Sequence, residues 1–284
     1  MRKMRIAMAA MGAVAALTLS ACGGDGGSSG GETQGGSAGG DKIRIGIKYD
    51  QPGLGYKSGN DFTGFDVDVA KYVANELGYS TDQIEFVESP SANRENMLSN
   101  GQVDMIFATY SITDERKKTV DFAGPYFVAG QDLLVSAENT DIKGPDDLNG
   151  KNLCSVTGST SAQRIKDEHA ENVNLLERPG YAECVTAMQS GQIDAVTTDD
   201  IILAGLAAQP NFKGKFKVVG NPFSEERYGV GLPKGTDQCA DINAAINKMV
   251  ESGAWEEALT ANTEGVDYKF NEELNPPKPG DACA

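Results

Sequence analysis

Histidine is almost missing from this chain: His169 is the single one in 284 residues. It lies in the charged stretch Lys166-Asp167-Glu168-His169-Ala170-Glu171, which reads as a solvated helix face. A Ser-His-Asp relay therefore has no buried base to run on. Zinc is disfavoured for the same reason, because the cysteines include no close pair to complement the lone His. Basic charge is also short, with 25 Lys and Arg against 41 Asp and Glu and a formal net charge of −16. So acidic a chain is not built to bind nucleic acid or to adhere electrostatically to anionic lipid. Beyond the first residues no apolar run approaches the roughly 18 residues of a membrane-spanning helix.

What is present at the N-terminus is an export signal. Arg2, Lys3 and Arg5 form a basic region, and Ile6 to Ala21 is apolar and Ala-rich. Small residues then precede Cys22, the pattern of a secretory leader rather than a span. Leu19-Ser20-Ala21-Cys22 resembles a bacterial lipobox, which implies lipidation at Cys22. Residues 23–40 are mostly Gly and Ser and cannot bury a core, so they read as a flexible tether with a reach of roughly 20–25 Å. Two acyl chains on Cys22 would give stable anchoring.

Four cysteines remain: Cys154, Cys184, Cys239 and Cys283. In an exported chain an even number reads as two disulfides, with three pairings open. The reading favoured is Cys154 with Cys184, both in the second repeat region, and Cys239 with Cys283, stapling the Pro-rich tail to a late helix.

The chain also says one thing twice. Met97-Leu98-Ser99-Asn100-Gly101-Gln102-Val103-Asp104-Met105-Ile106 returns as Ala187-Met188-Gln189-Ser190-Gly191-Gln192-Ile193-Asp194-Ala195-Val196. Each copy reads as a helix end, a left-handed Gly and a short buried strand. The strands run into Thr109-Tyr110-Ser111 and Thr197-Thr198-Asp199. Ligands of open α/β sheets bind outside the carboxyl ends of the strands. Two copies therefore suggest two α/β lobes facing one cleft. Between them, strands are expected at Ile43–Ile47, Ile84–Val87, Leu153–Val156, Val173–Glu177 and Phe216–Val219. Helices are expected over Phe65–Leu77, with Asp66 and Asp68 favoured by the dipole of the first turn, over Ala92–Ser99 and over Ala240–Glu251.

The expected organisation is a signal peptide at 1–21, lipidated Cys and tether at 22–41, and lobe 1 at 42–125. A hinge at 126–131, lobe 2 at 132–223, a second hinge at 224–228, the rest of lobe 1 at 229–264 and a tail at 265–284 follow. Two crossings meet the mechanical need of clamshell closure.

The blocks Gly64-Phe65-Asp66-Val67-Asp68-Val69-Ala70 and Ser111-Ile112-Thr113-Asp114-Glu115-Arg116-Lys117-Lys118-Thr119-Val120-Asp121-Phe122 resemble the signature segments of polar-amino-acid solute-binding proteins of ABC importers. The likeness spans roughly residues 42–262, and the Lys48–Gly53 turn with Asn93-Arg94 is similar to the glutamate/aspartate branch. It implies a two-lobed α/β clamshell that captures glutamate as a monomer and hands it to a permease, lipid-anchored on the outer face of the cell membrane. No cofactor is implied.

The resemblance implies that Arg116 and Ser111 hold the α-carboxylate, with Thr109 beside them. Ser159 and Thr160 lie on a second-lobe loop that offers N–H groups at a helix N-terminus. Asp199 takes the α-ammonium, and Lys48 and Arg94 hold a side-chain carboxylate. An Arg fork and a hydroxyl suit a carboxylate, and two cations in one pocket favour an anion between them. Read without the resemblance, Arg116, Lys48 and Arg94 are surface charges, Asp199, Ser159 and Thr160 are helix caps, and Tyr110 is either core or cleft lining. The aromatic residues that commonly sandwich the ligand in this family are not evident after Pro52 or near Ala92. Glutamine or aspartate as ligand, a sensor subunit, and a dehydratase-like enzyme using Asp199 and Asp200 are the alternatives. Adjacent residues at a strand end point apart, which weakens the last.

Overall fold

The computed structural model describes residues 42–169 and 173–284; the leader, Cys22 and the Gly/Ser tether lie outside the described residues. The alternating segment Ile43–Ile47 forms strand β1. A small hairpin, β2 (Tyr56–Ser58) and β3 (Asp61–Thr63), leads to Gly64. Gly64 has φ +120°, and a Cβ there would meet the Leu54 carbonyl at 1.8 Å, so only glycine fits this turn into helix α1 (Phe65–Glu76). Its apolar face, with Phe65, Val69 and Val73 fully buried, lies on the core, and Gly78 at φ +93° ends it. Asp66 departs from expectation. It is fully buried and braces other chains of the lobe instead of merely facing the helix dipole.

Strand β4 (Ile84–Glu88), helix α2 (Arg94–Ser99) and strand β5 (Met105–Ile106) complete the first repeat. Strand β6 (Val120–Ala129) passes through Gly130 into β7 (Gln131–Ser136). Then come β8 (Asn152–Val156), α3 (Thr160–Glu168), β9 (Asn174–Arg178), α4 (Tyr181–Gln189), β10 (Ala195–Asp199), α5 (Asp200–Ala207) and β11 (Phe216–Val218). The chain returns through β12 (Glu226–Pro233) and ends with α6 (Cys239–Glu251), α7 (Ala254–Thr263) and an irregular tail.

These strands make two five-stranded sheets, ordered β4-β1-β5-β12-β6 and β11-β7-β10-β8-β9. Each repeat strand is the centre of its sheet. Strand β5 has parallel β1 on one side and antiparallel β12 on the other, and β10 has parallel β8 and antiparallel β7. The two copies also turn alike: Gly101 at φ +64° and Gly191 at φ +77° each follow a helix whose last carbonyls they satisfy.

Two segments cross between the sheets. Gly130 lies so close to the returning chain that a Cβ would meet Pro222 at 2.6 Å and the Ser224 carbonyl at 3.0 Å. The Gln131 amide donates to Ser224 Oγ at 3.1 Å, and the Phe223 amide donates to the Gln131 carbonyl at 2.9 Å. Disulfides join Cys154 of β8 to Cys184 of α4 and Cys239 of α6 to Cys283 of the tail. The tail also presents Asn275, whose amide accepts from Val128 N and donates to Val128 O, occupying the open side of β6.

Candidate functional site

Between the carboxyl ends of β5 and β10 the lobes close on a narrow cleft lined by Arg94, Thr109, Arg116, Ser159, Thr160, Tyr181 and Asp199, among others. The lobes meet around it. Ser111 Oγ is 3.4 Å from Thr160 Oγ1, and Arg116 Nη2 donates to the Gly158 carbonyl at 3.1 Å.

On the first lobe, the chain leaving β5 turns sharply at Thr109, a β-branched residue at φ +46°. Such a residue needs over-determining contacts to stay there. Asp66 supplies one by accepting from Thr109 N at 2.9 Å, and Gln51 accepts from Thr109 Oγ1 at 3.2 Å. Asp66 also accepts from Tyr126 at 2.8 Å, and burial pushes its carboxyl up to about 6 despite these bonds. Tyr110 is buried, so it packs as core. Its ring lies 4.3 Å from the Arg94 guanidinium carbon and 4.9 Å from that of Arg116, making a shared platform for both. Its hydroxyl donates to Glu95 at 2.7 Å.

The two arginines are differently engaged. Arg116 donates to the Ser111 carbonyl at 2.8 Å and lies 3.4 Å from Glu95. Burial, then the charge of Arg94, pushes its guanidinium down to about 10, which leaves it protonated at neutral pH. Its Nη1 makes the Ser111 bond and its Nη2 the Gly158 bond, so each terminal nitrogen has one further N–H to offer. Arg94 is 2% exposed and donates to the Ala108 carbonyl at 2.8 Å. Its Nε is buried without a partner, and no carboxylate within ion-pair distance joins it among the described residues.

On the second lobe, Ser159 caps α3, accepting from Ala162 N at 2.9 Å. The Thr160 hydroxyl donates to Glu226 at 2.9 Å, at the start of β12. Asp199 occupies the N-cap position of α5 but makes no capping bond. One carboxylate oxygen accepts from Tyr228 at 2.6 Å, and the other, Oδ1, is buried without a partner. Burial first, and then the charge of Glu226, raise its carboxyl well above the usual range. A buried cation would correct that imbalance.

Two expected ligand groups, Lys48 and Ser111, do not line this space, and Lys48 lies apart from it. Its buried ammonium is 3.5 Å from Asp50, in an adjoining pocket with Glu88 and Gly180. Burial lowers its pKa, with Asp50 opposing. Ser111 is buried behind the lining, its Oγ 3.4 Å from Thr160 Oγ1. Tyr181, Ser91, Thr198 and Ile202 line the cavity without having been singled out in the sequence. The one local signal at Tyr181 is the preceding Pro179-Gly180, which suits a helix start. The bracing roles of Gln51, Asp66, Glu226 and Tyr228 carry no sequence signal, because each acts through a partner distant along the chain.

The model of the bacterial extracellular solute-binding proteins, family 3, matches residues 43–262. Glutamate-binding protein GluB of Corynebacterium glutamicum is 44% identical over 276 residues, covering 93% of this chain and 91% of the relative. ABC transporter glutamine-binding protein GlnH of Bacillus subtilis is 42% identical over 221 residues, covering 76% and 79%. An ancestral arginine-binding protein bound to glutamine superposes with a TM-score of 0.71 at 34% identity, covering 78% of this chain and 96% of that one.

Proposed function

The chain belongs to the bacterial extracellular solute-binding proteins of family 3, and on that premise we propose that it captures L-glutamate in the interlobe cavity. Arg116 receives the α-carboxylate through its free N–H groups, with Ser111, Thr109 and the amides around Ser159 and Thr160 completing that end. Asp199 receives the α-ammonium on its unpartnered Oδ1. Arg94 receives the side-chain carboxylate.

The observation that carries the choice of glutamate is the Arg94 guanidinium, buried with an unpartnered Nε and no carboxylate of its own. An α-amino acid's own charges are spent on Arg116 and Asp199. The cation left over calls for one further anion. Glutamine would meet Arg94 with a neutral amide, and arginine would add a second guanidinium beside it. Glutamate is also the ligand named for the relative at 44% identity. Glutamine remains the second reading, because it is named for the relative at 42% identity and for the ancestral structure.

The lobes turn about 126–131 and 224–228, and ligand touching both of them favours the closed form. The leader at 1–21 exports the chain, Cys22 anchors it by lipid outside the membrane, and the tether lets it deliver glutamate to an ABC permease. Calorimetric titration of the purified domain with glutamate, aspartate, glutamine and arginine tests the assignment. Glutamate is expected to bind tightest, with Arg94→Met erasing its advantage over glutamine. A preference for glutamine or arginine that survives Arg94→Met would overturn it.

A further inference from the structure

Helix α4 opens without a cap of its own. Gly180 is its N-cap residue and offers no side chain to the exposed N–H groups of the first turn. The group that serves them comes from the other lobe: Asp50 Oδ2 accepts from Tyr181 N at 3.0 Å. The fit is close, since a Cβ on Gly180 would lie 2.5 Å from that same oxygen. Gly180 has φ −139°, which any residue adopts, so here glycine answers to space and not to backbone strain. A second close approach spans the cleft, where Gly158, at φ +78°, sits so near the first lobe that a Cβ would meet Ala92 Cα at 2.7 Å. Behind Asp50 stands Lys48, buried, its ammonium 3.5 Å away and paired with no other carboxylate among the described residues.

We propose that Lys48 and Asp50 form an interlobe latch, in which Lys48 holds the Asp50 carboxylate in place to cap helix α4 when the lobes close. Neither residue lines the ligand cavity. Lys48 is thus a positioning residue acting through Asp50, and the latch stabilises the closed form whatever amino acid fills the site. A carboxylate at a helix N-terminus gains from both the orphan donor and the dipole. Opening separates them and leaves Tyr181 N to water. The latch rests on the solute-binding reading of the cleft but not on the identity of the ligand.

The test is titration of glutamate and glutamine into wild type, Asp50→Ala, Lys48→Met and Gly180→Ala, with exchange of the Tyr181 amide followed in parallel. The latch predicts that each variant weakens both amino acids by a common factor, between about 3-fold and about 30-fold. It also predicts faster dissociation and no further loss when Gly180→Ala is added to Asp50→Ala. Gly180→Ala leaves both charged residues in place, so it keeps the test open if a charge variant fails to fold. Loss of glutamate affinity alone in Lys48→Met, with Asp50→Ala and Gly180→Ala unaffected, would overturn the latch and return Lys48 to the ligand. Wild type that binds neither amino acid would sink the glutamate reading instead. The latch is then read from the complex with whichever other amino acid wild type binds: Tyr181 amide protection lost in Asp50→Ala supports it, and equal exchange in the two complexes overturns it.

Discussion

The two repeat copies share a scaffold and part company at its end. In copy one, Gly101 N and Gln102 N close the preceding helix on Leu98 and Met97; in copy two, Gly191 N and Gln192 N do the same on Met188 and Ala187. Asp104 accepts from Arg44 N at 2.8 Å and Asp194 from Asn152 N at 2.7 Å, each stitching the central strand to its parallel neighbour. Beyond the strands the resemblance ends. Copy one turns through a left-handed Thr109 and brings up two guanidinium groups on an aromatic platform. Copy two runs straight into α5 and leaves one carboxylate oxygen unpartnered. The shared part fixes where the strand ends lie, and the divergent part gives the facing ends opposite charge. A zwitterion needs that difference.

The sharpest way to break the contrast is to neutralise copy two. Asp199→Asn leaves the ligand ammonium buried beside two arginines, and breaking a buried charge pair is worth about 3–5 kcal/mol. Calorimetry is expected to show glutamate affinity down between about 100-fold and about 5,000-fold. The same variant removes an uncompensated carboxylate, so the ligand-free protein is expected to melt higher. Neutralising copy one separates its two cations. Arg116→Lys, which loses the planar fork, is expected to weaken every amino acid by about 10-fold or more. Arg94→Met weakens glutamate by a similar factor and spares glutamine.

Acid titration sharpens the comparison from the first lobe alone. The Asp66 carboxyl, at about 6 in the fold, binds more protons there than in the unfolded chain, whose value is near 3.8. Stability from this group is therefore full below the unfolded value and is lost as pH rises through the folded one. Urea midpoints of wild type relative to Asp66→Asn are expected to fall between pH 4 and pH 6, and a parallel pair of curves would contradict it. The smallest effect tests the shared scaffold. Gly101→Ala and Gly191→Ala meet open space but hold left-handed backbone, so each should lower stability by about 1 kcal/mol, nearly equally, with glutamate affinity unchanged.

Local features were the legible ones. Helix α1, the strands and the Gly turns follow from periodicity and backbone preference, and the repeat by itself implies two α/β lobes. The roles of single charges were less legible. Asp66 reads as a first-turn dipole residue, yet it braces Thr109, which comes 43 positions later. Lys48 reads as a ligand cation, yet its partner is Asp50, placed by a lobe contact to Tyr181. Asp199 reads as an N-cap, and only Tyr228, brought back by the second crossing, shows which oxygen is left free. Burial and closure decide these roles, and both depend on segments far apart in the chain.

A crystal structure of the chain with bound L-glutamate tests the central claim most directly. The account predicts the α-ammonium within about 3 Å of Asp199 Oδ1 and the side-chain carboxylate on the Arg94 guanidinium, with the α-carboxylate on Arg116. A ligand whose ammonium avoids Asp199, or whose side-chain carboxylate turns away from Arg94 toward Lys48, would contradict it.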